Sequence, residues 1–275
     1  MQRITMNQIN PNFTGCIYNL LYIQYNENFG REEFFYYDLA YPVFYNVKNS
    51  YFKVDQTILK NLNETIYSNI ETFRNGLYEE MAQYNKTAAE NALPKRVYQV
   101  STSFDITFSK NHILSFIINL DSISDNYGPL YEDVYHFNID LLTGNTLTLK
   151  DLFNEGVDYL QLLSQFVNDE IAKTPNLFYE NTVVDIPDSQ AFYITDKGIV
   201  IFFEIDEIAK QSAGVPKFLV SFEDFSEYIN PRFYCNPQNV LRRKKEDSSL
   251  FEKQIYLFLF FYSLFFVNYL IFKLY

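Results

Sequence analysis

The stretch FYITDKGIVIFFEIDEIAKQSAGVPKFLVSF, residues 192–222, decides the fold. It opens on an apolar strand, turns at Asp196-Lys197-Gly198 and continues into a β-branched and aromatic run, Ile199-Val200-Ile201-Phe202-Phe203. Runs of this kind, bounded by a glycine turn, read as strands. A short acidic turn or helix carrying Glu207-Ile208-Ala209 follows, then a small-residue step, Ala213-Gly214, and a closing strand from Lys217.

Upstream, period-two alternation predicts a sheet. Tyr98, Val100, Phe104, Ile106 and Phe108 alternate with Gln99, Ser101, Ser103, Asp105 and Thr107, giving one buried face. A tight turn at Ser109-Lys110-Asn111-His112 leads into Leu114, Phe116, Ile118 and Leu120, a hairpin partner. A loop over residues 121–129 precedes a third strand with Tyr131, Tyr135, Phe137, Ile139 and Leu141 on one face. Before the sheet, Val54, Ile58, Leu62, Ile66, Ile70, Phe73, Leu77 and Met81 are spaced by fours and one three, the stripe of a long amphipathic helix. Such a helix must lie along an apolar surface, most simply a sheet. A strand opens the patterned region at Tyr41-Pro42-Val43-Phe44, with Pro42 confined to its start or to an edge. Leu160, Leu163, Phe166, Val167 and Ile171 mark a second helix that stops before Pro175. The expected class is α+β: a mostly antiparallel sheet packed by a long N-terminal helix and a second, shorter one.

This order of elements resembles a known pair of adjoining domains: the RsiV-like extracytoplasmic domain and the N-terminal domain found with the peptidoglycan deacetylase PdaC (DUF3298 with DUF4163). The resemblance rests on the Tyr-Pro strand, the long helix, the meander, the Asp140-x-x-Thr143-Gly144 turn, Leu149-x-x-Leu152-Phe153, the second helix and the Glu207-Ile208-Ala209 and Ala213-Gly214 steps. It covers residues 36–230. It implies a binding module at the cell envelope: RsiV-like members recognise lysozyme, a basic protein, and deacetylase members sit at peptidoglycan. The chain departs from the family at Gly128-Pro129-Leu130, where a Gly-Ala-His segment is usual, and at Lys210-Gln211, where Pro-Tyr is usual. Ligand identity therefore does not carry over. The expected organisation is a poorly patterned segment over 1–35, a PdaC N-terminal-type part over 36–125, an RsiV-like part over 126–232, a basic linker over 233–254 and an apolar tail over 255–275.

Net charge is −12 over 275 residues, yet residues 241–275 hold six basic side chains against three acidic ones, so the body is the acidic part. An acidic body repels nucleic acid and steers a basic protein toward itself. The tail over 255–275 has the length and apolarity of a membrane-spanning helix. With Arg242-Arg243-Lys244-Lys245 before it, an anchor would leave the domain on the cytoplasmic side. Read-through sequence and a buried helix are the competing readings. The N-terminus has no long apolar core of a signal peptide. Cys16 and Cys235 lie in weakly patterned flanks; a disulfide between them is one reading that the sequence does not decide, and two unrelated thiols are the expected one.

Chemistry is sparse. The two histidines, His112 and His136, lack metal-site spacing, and no HExxH, CxxC, G-x-S-x-G or phosphate-binding glycine loop occurs. Asp121-x-x-x-Asp125 only loosely suggests a calcium loop, because Ile123 occupies a ligand position. No cofactor, metal or catalytic group is expected, and no enzyme activity. The expected contact surface is the loop set 121–133 and 206–215, carrying Asp125, Tyr127, Tyr131, Glu132, Asp133, Asp206 and Glu207. The competing class is a cytoplasmic or membrane-tethered structural or regulatory protein of the same fold.

Overall fold

Two sheets and one long helix carry the architecture. The computed structural model describes residues 16–125 and 127–234, of which Ile17–Tyr234 form one unit. Strands β1 (Leu21–Arg31) and β2 (Phe35–Asn46) form an antiparallel ribbon. Helix α1 (Gln56–Glu90) then crosses to β3 (Tyr98–Lys110), which lies parallel to β2. Strands β4 (Ile113–Ser124) and β5 (Gly128–Asp140) complete a five-stranded sheet in sequential order, antiparallel except at β2–β3. Helices α2 (Leu149–Leu152) and α3 (Tyr159–Lys173) lead to a separate antiparallel sheet of β6 (Phe192–Ile194), β7 (Gly198–Phe202) and β8 (Lys217–Ser221). The class is α+β, as the periodicities require.

Helix α1 forms where its apolar stripe begins. Asp55 caps it, accepting from Thr57 N–H at 2.7 Å. Val54 and Leu59 flank the cap in one core cluster, the staple arrangement that fixes the entry angle. Leu62, Ile66, Ile70, Phe73, Leu77 and Met81 are buried against Phe35, Leu39, Tyr98, Val100, Leu114, Phe116, Ile118 and Leu120 of the sheet. Two asparagines fasten the helix to the strands. Asn63 bonds both the N–H and the C=O of Phe44, and Asn85 bonds both main-chain groups of Arg96.

Strand β4 is buried on both faces. Its even residues meet α1, while Ile113 and Ile117 pack toward the small sheet and α3. The β3–β4 connection is a two-residue loop in which Asn111 and His112 have φ of 53° and 62°, the left-handed pair of a type I′ turn. Ile17 N–H donates to Asn111 Oδ1, and Asn111 Nδ2 donates to the Arg232 carbonyl, so both ends of the unit meet this turn.

Several expectations need correction. The segment over 1–35, expected to be poorly patterned, contains β1 at residues 21–31. Its polar Gln, Asn and Glu positions hide the strand, because pairing with β2 holds it rather than a continuous apolar face. The loop expected over 121–129 shrinks to a short turn. Ser122 and Ser124 are buried strand positions of β4, too small and polar to register as a core pattern. Of the two readings of Glu207-Ile208-Ala209, the structure takes the turn, with Ile208 and Ala209 buried. Cys16 is disulfide-bonded rather than a lone thiol. Cys235, most of the basic linker and the apolar tail lie outside the described residues. Among the described residues no helix is long and apolar enough to cross a membrane.

Pro42 falls in the middle of β2 without breaking the sheet. Pairing with β3 ends at Leu39–Thr102, and Pro42 shares parity with Phe44, whose main-chain groups turn to Asn63. Its missing N–H therefore faces an open edge and removes no ladder bond.

Candidate functional site

The five-stranded sheet has one face under α1. At one end its other face is left open, and there the register stacks side chains across strands. Phe29 lies opposite Asp38, Asp38 beside Ser101, Ser101 opposite Asp121, and Asp121 opposite Glu132. The neighbouring row runs Arg31, Tyr36, Gln99 and Ile123. Opposed residues share a face, so both rows look outward together. Between them lies an open cavity of ≈ 250 Å³ lined by Tyr36, Tyr37, Asp38, Gln99, Val100, Ser101, Asp121 and Ile123.

Each part of this floor is fixed by its neighbours. Arg31 lies over the Tyr36 ring at 4.6 Å and donates to its hydroxyl at 3.1 Å, fixing the two side chains against each other. Gln99 donates to Asp125 Oδ1 at 2.8 Å. The carboxylates of Asp38, Asp121 and Glu132 form no ion pair with a basic side chain among the described residues. Partial burial raises the pKa of Asp121 above the ordinary carboxylate value. Directly opposed carboxylates such as Asp121 and Glu132 oppose folding, and a cationic ligand would relieve the repulsion.

The seven residues expected to form one surface are spread by the fold. Period-two alternation in β5 sends Glu132 to the open face and Tyr131 and Asp133 to the other. There Tyr131 donates to Asp133 Oδ2 at 2.9 Å and packs on Phe73 of α1. Burial and the Asp133 hydrogen bond push the Tyr131 hydroxyl pKa well up. Asp125 and Tyr127 bracket the β4–β5 turn. Tyr127 covers Arg96, which is sandwiched between it and Tyr84 at 3.9 Å from each ring. Asp206 accepts from the Tyr179 hydroxyl, and Glu207 folds back to accept from Glu204 N–H at 2.8 Å. Only Asp125, through Gln99, and Glu132 join the open-face rows. Tyr36, Asp38, Ser101 and Asp121 lie outside the expected set. Ser101 and Gln99 are legible as the polar positions of β3, but nothing local announces that β2 lies parallel beside them.

The histidines stand apart. His112 stacks on Phe52 at 5.1 Å, and His136 sits against Phe202 at 5.4 Å. Among the described residues no group of three or more His, Cys, Asp or Glu side chains could hold a metal ion.

None of the curated proteins matches this chain. Residues 150–223 match the family model described as Protein of unknown function (DUF3298), and residues 30–122 match the model described as Deacetylase PdaC. Two crystal structures are similar. One, of a DUF3298 family member from Bacteroides fragilis, is 13% identical and covers 78% of this chain and 95% of that one, with a TM-score of 0.53. Another, of a DUF3298 family protein from Pseudomonas aeruginosa, is 10% identical and covers 78% and 96%, with a TM-score of 0.47. The first shares the fold. The chain is thus similar to DUF3298 over α2 to β8 and to the PdaC model from the end of β1 through most of β4.

Proposed function

We propose that this chain is a non-catalytic recognition module of the RsiV and PdaC type, and that it contacts its ligand through the open face of the five-stranded sheet. The observation that carries this reading is the cavity between Tyr36, Asp38, Gln99, Ser101 and Asp121. It offers an aromatic plane, an amide, a hydroxyl and unpaired carboxylates on a rigid floor, and it holds no nucleophile–base pair. The ligand is a basic protein surface of the lysozyme kind, with cell-wall glycan as the other envelope ligand. A net charge of −12 favours encounter with a cationic partner. The disulfide at Cys16 favours an oxidising compartment over the cytoplasmic alternative.

The test is binding of the full chain to lysozyme and, separately, to peptidoglycan fragments, at about 0.1 M and about 1 M salt. Lysozyme binding that weakens at least tenfold as salt rises, and again on Asp38→Asn with Glu132→Gln, supports the reading. Binding to neither ligand, or binding indifferent to those changes, overturns it.

A further inference from the structure

The outer edge of β1 is left unpaired among the described residues. Glu32 N–H donates to Phe35 O at 2.8 Å, continuing the β1–β2 ladder, so the even residues of β1 turn their main-chain groups toward β2. Leu21, Ile23, Tyr25, Glu27, Phe29 and Arg31 therefore aim theirs outward, and among the described residues nothing pairs with them. Edge strands are ordinarily blunted by proline, lysine, bulges or shortness. The opposite edge, β5, is blunted in this way: it carries Pro129, a register shift at its start, and Glu132 and Asp133. Strand β1 runs for 11 residues without proline or lysine. It also exposes Tyr22, Tyr25 and Phe29, the last at 73%.

We propose that β1 pairs antiparallel with β1 of a second copy of this chain, joining two five-stranded sheets across a two-fold axis at Asn26. Charge selects this occupant. Although the chain is strongly acidic, β1 itself is neutral, with Glu27 and Arg31 cancelling. Centring on Asn26 puts outward-facing residues opposite outward-facing residues, as hydrogen-bonded pairs require. Ile23 then faces Phe29, Tyr25 faces Glu27, and Leu21 faces Arg31, so an apolar pair forms and no like charges meet. A register shifted by one residue pair, centred on Glu27, would set Glu27 against itself. A two-fold strand pair is also closed, which limits growth beyond the dimer.

The interface adjoins the ligand face at Phe29 and Arg31 but has the opposite salt response, which separates the two readings. Two bodies of charge −12 repel, so self-pairing tightens as salt screens them. Sedimentation equilibrium of the full chain at about 0.1 M and about 1 M salt reads this directly. The expected result is a dimer that strengthens with salt. It should weaken at least tenfold on Phe29→Lys, which places a charge on an exposed edge position, and on Glu27→Pro, which removes an outward N–H that β2 does not use. Tyr25→Arg, facing Glu27 of the second copy, should tighten it roughly 2- to 10-fold. A monomer at every concentration and salt, association that ignores all three changes, or capture of a foreign extended peptide in place of self-pairing overturns the proposal.

Discussion

Ser115 Oγ donates to Asn138 Oδ1 at 2.7 Å, directly across the β4–β5 register, and this buried pair fastens the small sheet to the large one. Ser115 Oγ also accepts from Ile194 N–H at 2.9 Å and from Thr107 Oγ1 at 3.1 Å. Asn138 Nδ2 donates to the Phe192 carbonyl at 2.8 Å. Two side chains of one sheet thus satisfy the edge of β6, which has only three residues and one strand partner. Ser115→Ala would leave Ile194 N–H and Asn138 Oδ1 buried and unpaired, at about 1–3 kcal/mol for each group. Chemical denaturation should show a loss of roughly 2–4 kcal/mol with an unchanged m value. A loss within experimental error would mean that apolar packing alone joins the sheets.

Glycine substitutions should separate by location. A Cβ at Gly198 would stand 2.2 Å from the Val220 carbonyl oxygen, and that oxygen belongs to the β7–β8 ladder and cannot retreat without breaking it. Gly198→Ala is expected to cost at least 1–3 kcal/mol, roughly the range for forced overpacking. Gly76, exposed within α1, leaves open space where an alanine methyl would sit, with nothing within 4 Å. Gly76→Ala should instead stabilise by about 0.5–1 kcal/mol, because alanine loses less freedom in a helix. Melting temperatures moving in opposite directions would confirm the assignment, and parallel shifts would contradict it.

The sequence made α1 and the β6–β8 unit legible for the same reason: one periodicity dominates each. The stripe from Leu62 to Met81 has no competing pattern, and Gly198 punctuates an unbroken apolar run. Strand β1 was illegible because an edge strand depends on main-chain pairing, which its polar side chains do not record. The open face was legible only in halves. Alternation in β3 marked Gln99 and Ser101 as outward, but the β2–α1–β3 crossover alone decides that Asp38 lies beside Ser101 and completes the acidic row. Pairing between elements separated by a 35-residue helix leaves no local trace. The same limit explains the scatter of the seven expected surface residues. Tyr131 and Glu132 are neighbours in sequence and on opposite faces in the sheet.

His112 should give stability a defined acid dependence. Burial against Phe52 and the nearby Arg232 guanidinium lower its pKa, while Asp140, which pairs with Arg232 at 2.9 Å, opposes them. The folded state therefore binds its proton less readily than the unfolded chain does. The contribution is complete above the ordinary histidine value of about 6.5 and declines as pH falls from there toward the folded pKa. His112→Asn tolerates the left-handed backbone of this position and does not titrate. The variant should flatten the stability profile just below neutrality. Urea midpoints between about pH 5 and pH 7.5 check this, and an unchanged slope in the variant would assign the dependence elsewhere.

Under the proposed reading, the acidic row sets stability against recognition. Asp121 and Glu132 are directly opposed on β4 and β5, an arrangement that disfavours the folded state by about 0.2–1 kcal/mol. Partial burial raises the Asp121 pKa, so the folded chain holds that proton more tightly than the unfolded one. Its ionisation thus penalises the fold, and the penalty grows as pH rises through the folded pKa and persists at neutral pH. Asp121→Asn removes both effects and should raise the unfolding free energy at neutral pH, by up to about 1 kcal/mol, with no gain at a pH low enough to protonate the carboxyl. The same substitution should weaken capture of a basic partner, because the unpaired carboxylate is what such a partner neutralises. Paired measurements of denaturation and lysozyme binding decide the matter. A variant that gains stability and loses affinity fits a face kept acidic for binding, whereas one that gains stability and binds as before removes Asp121 from the contact surface.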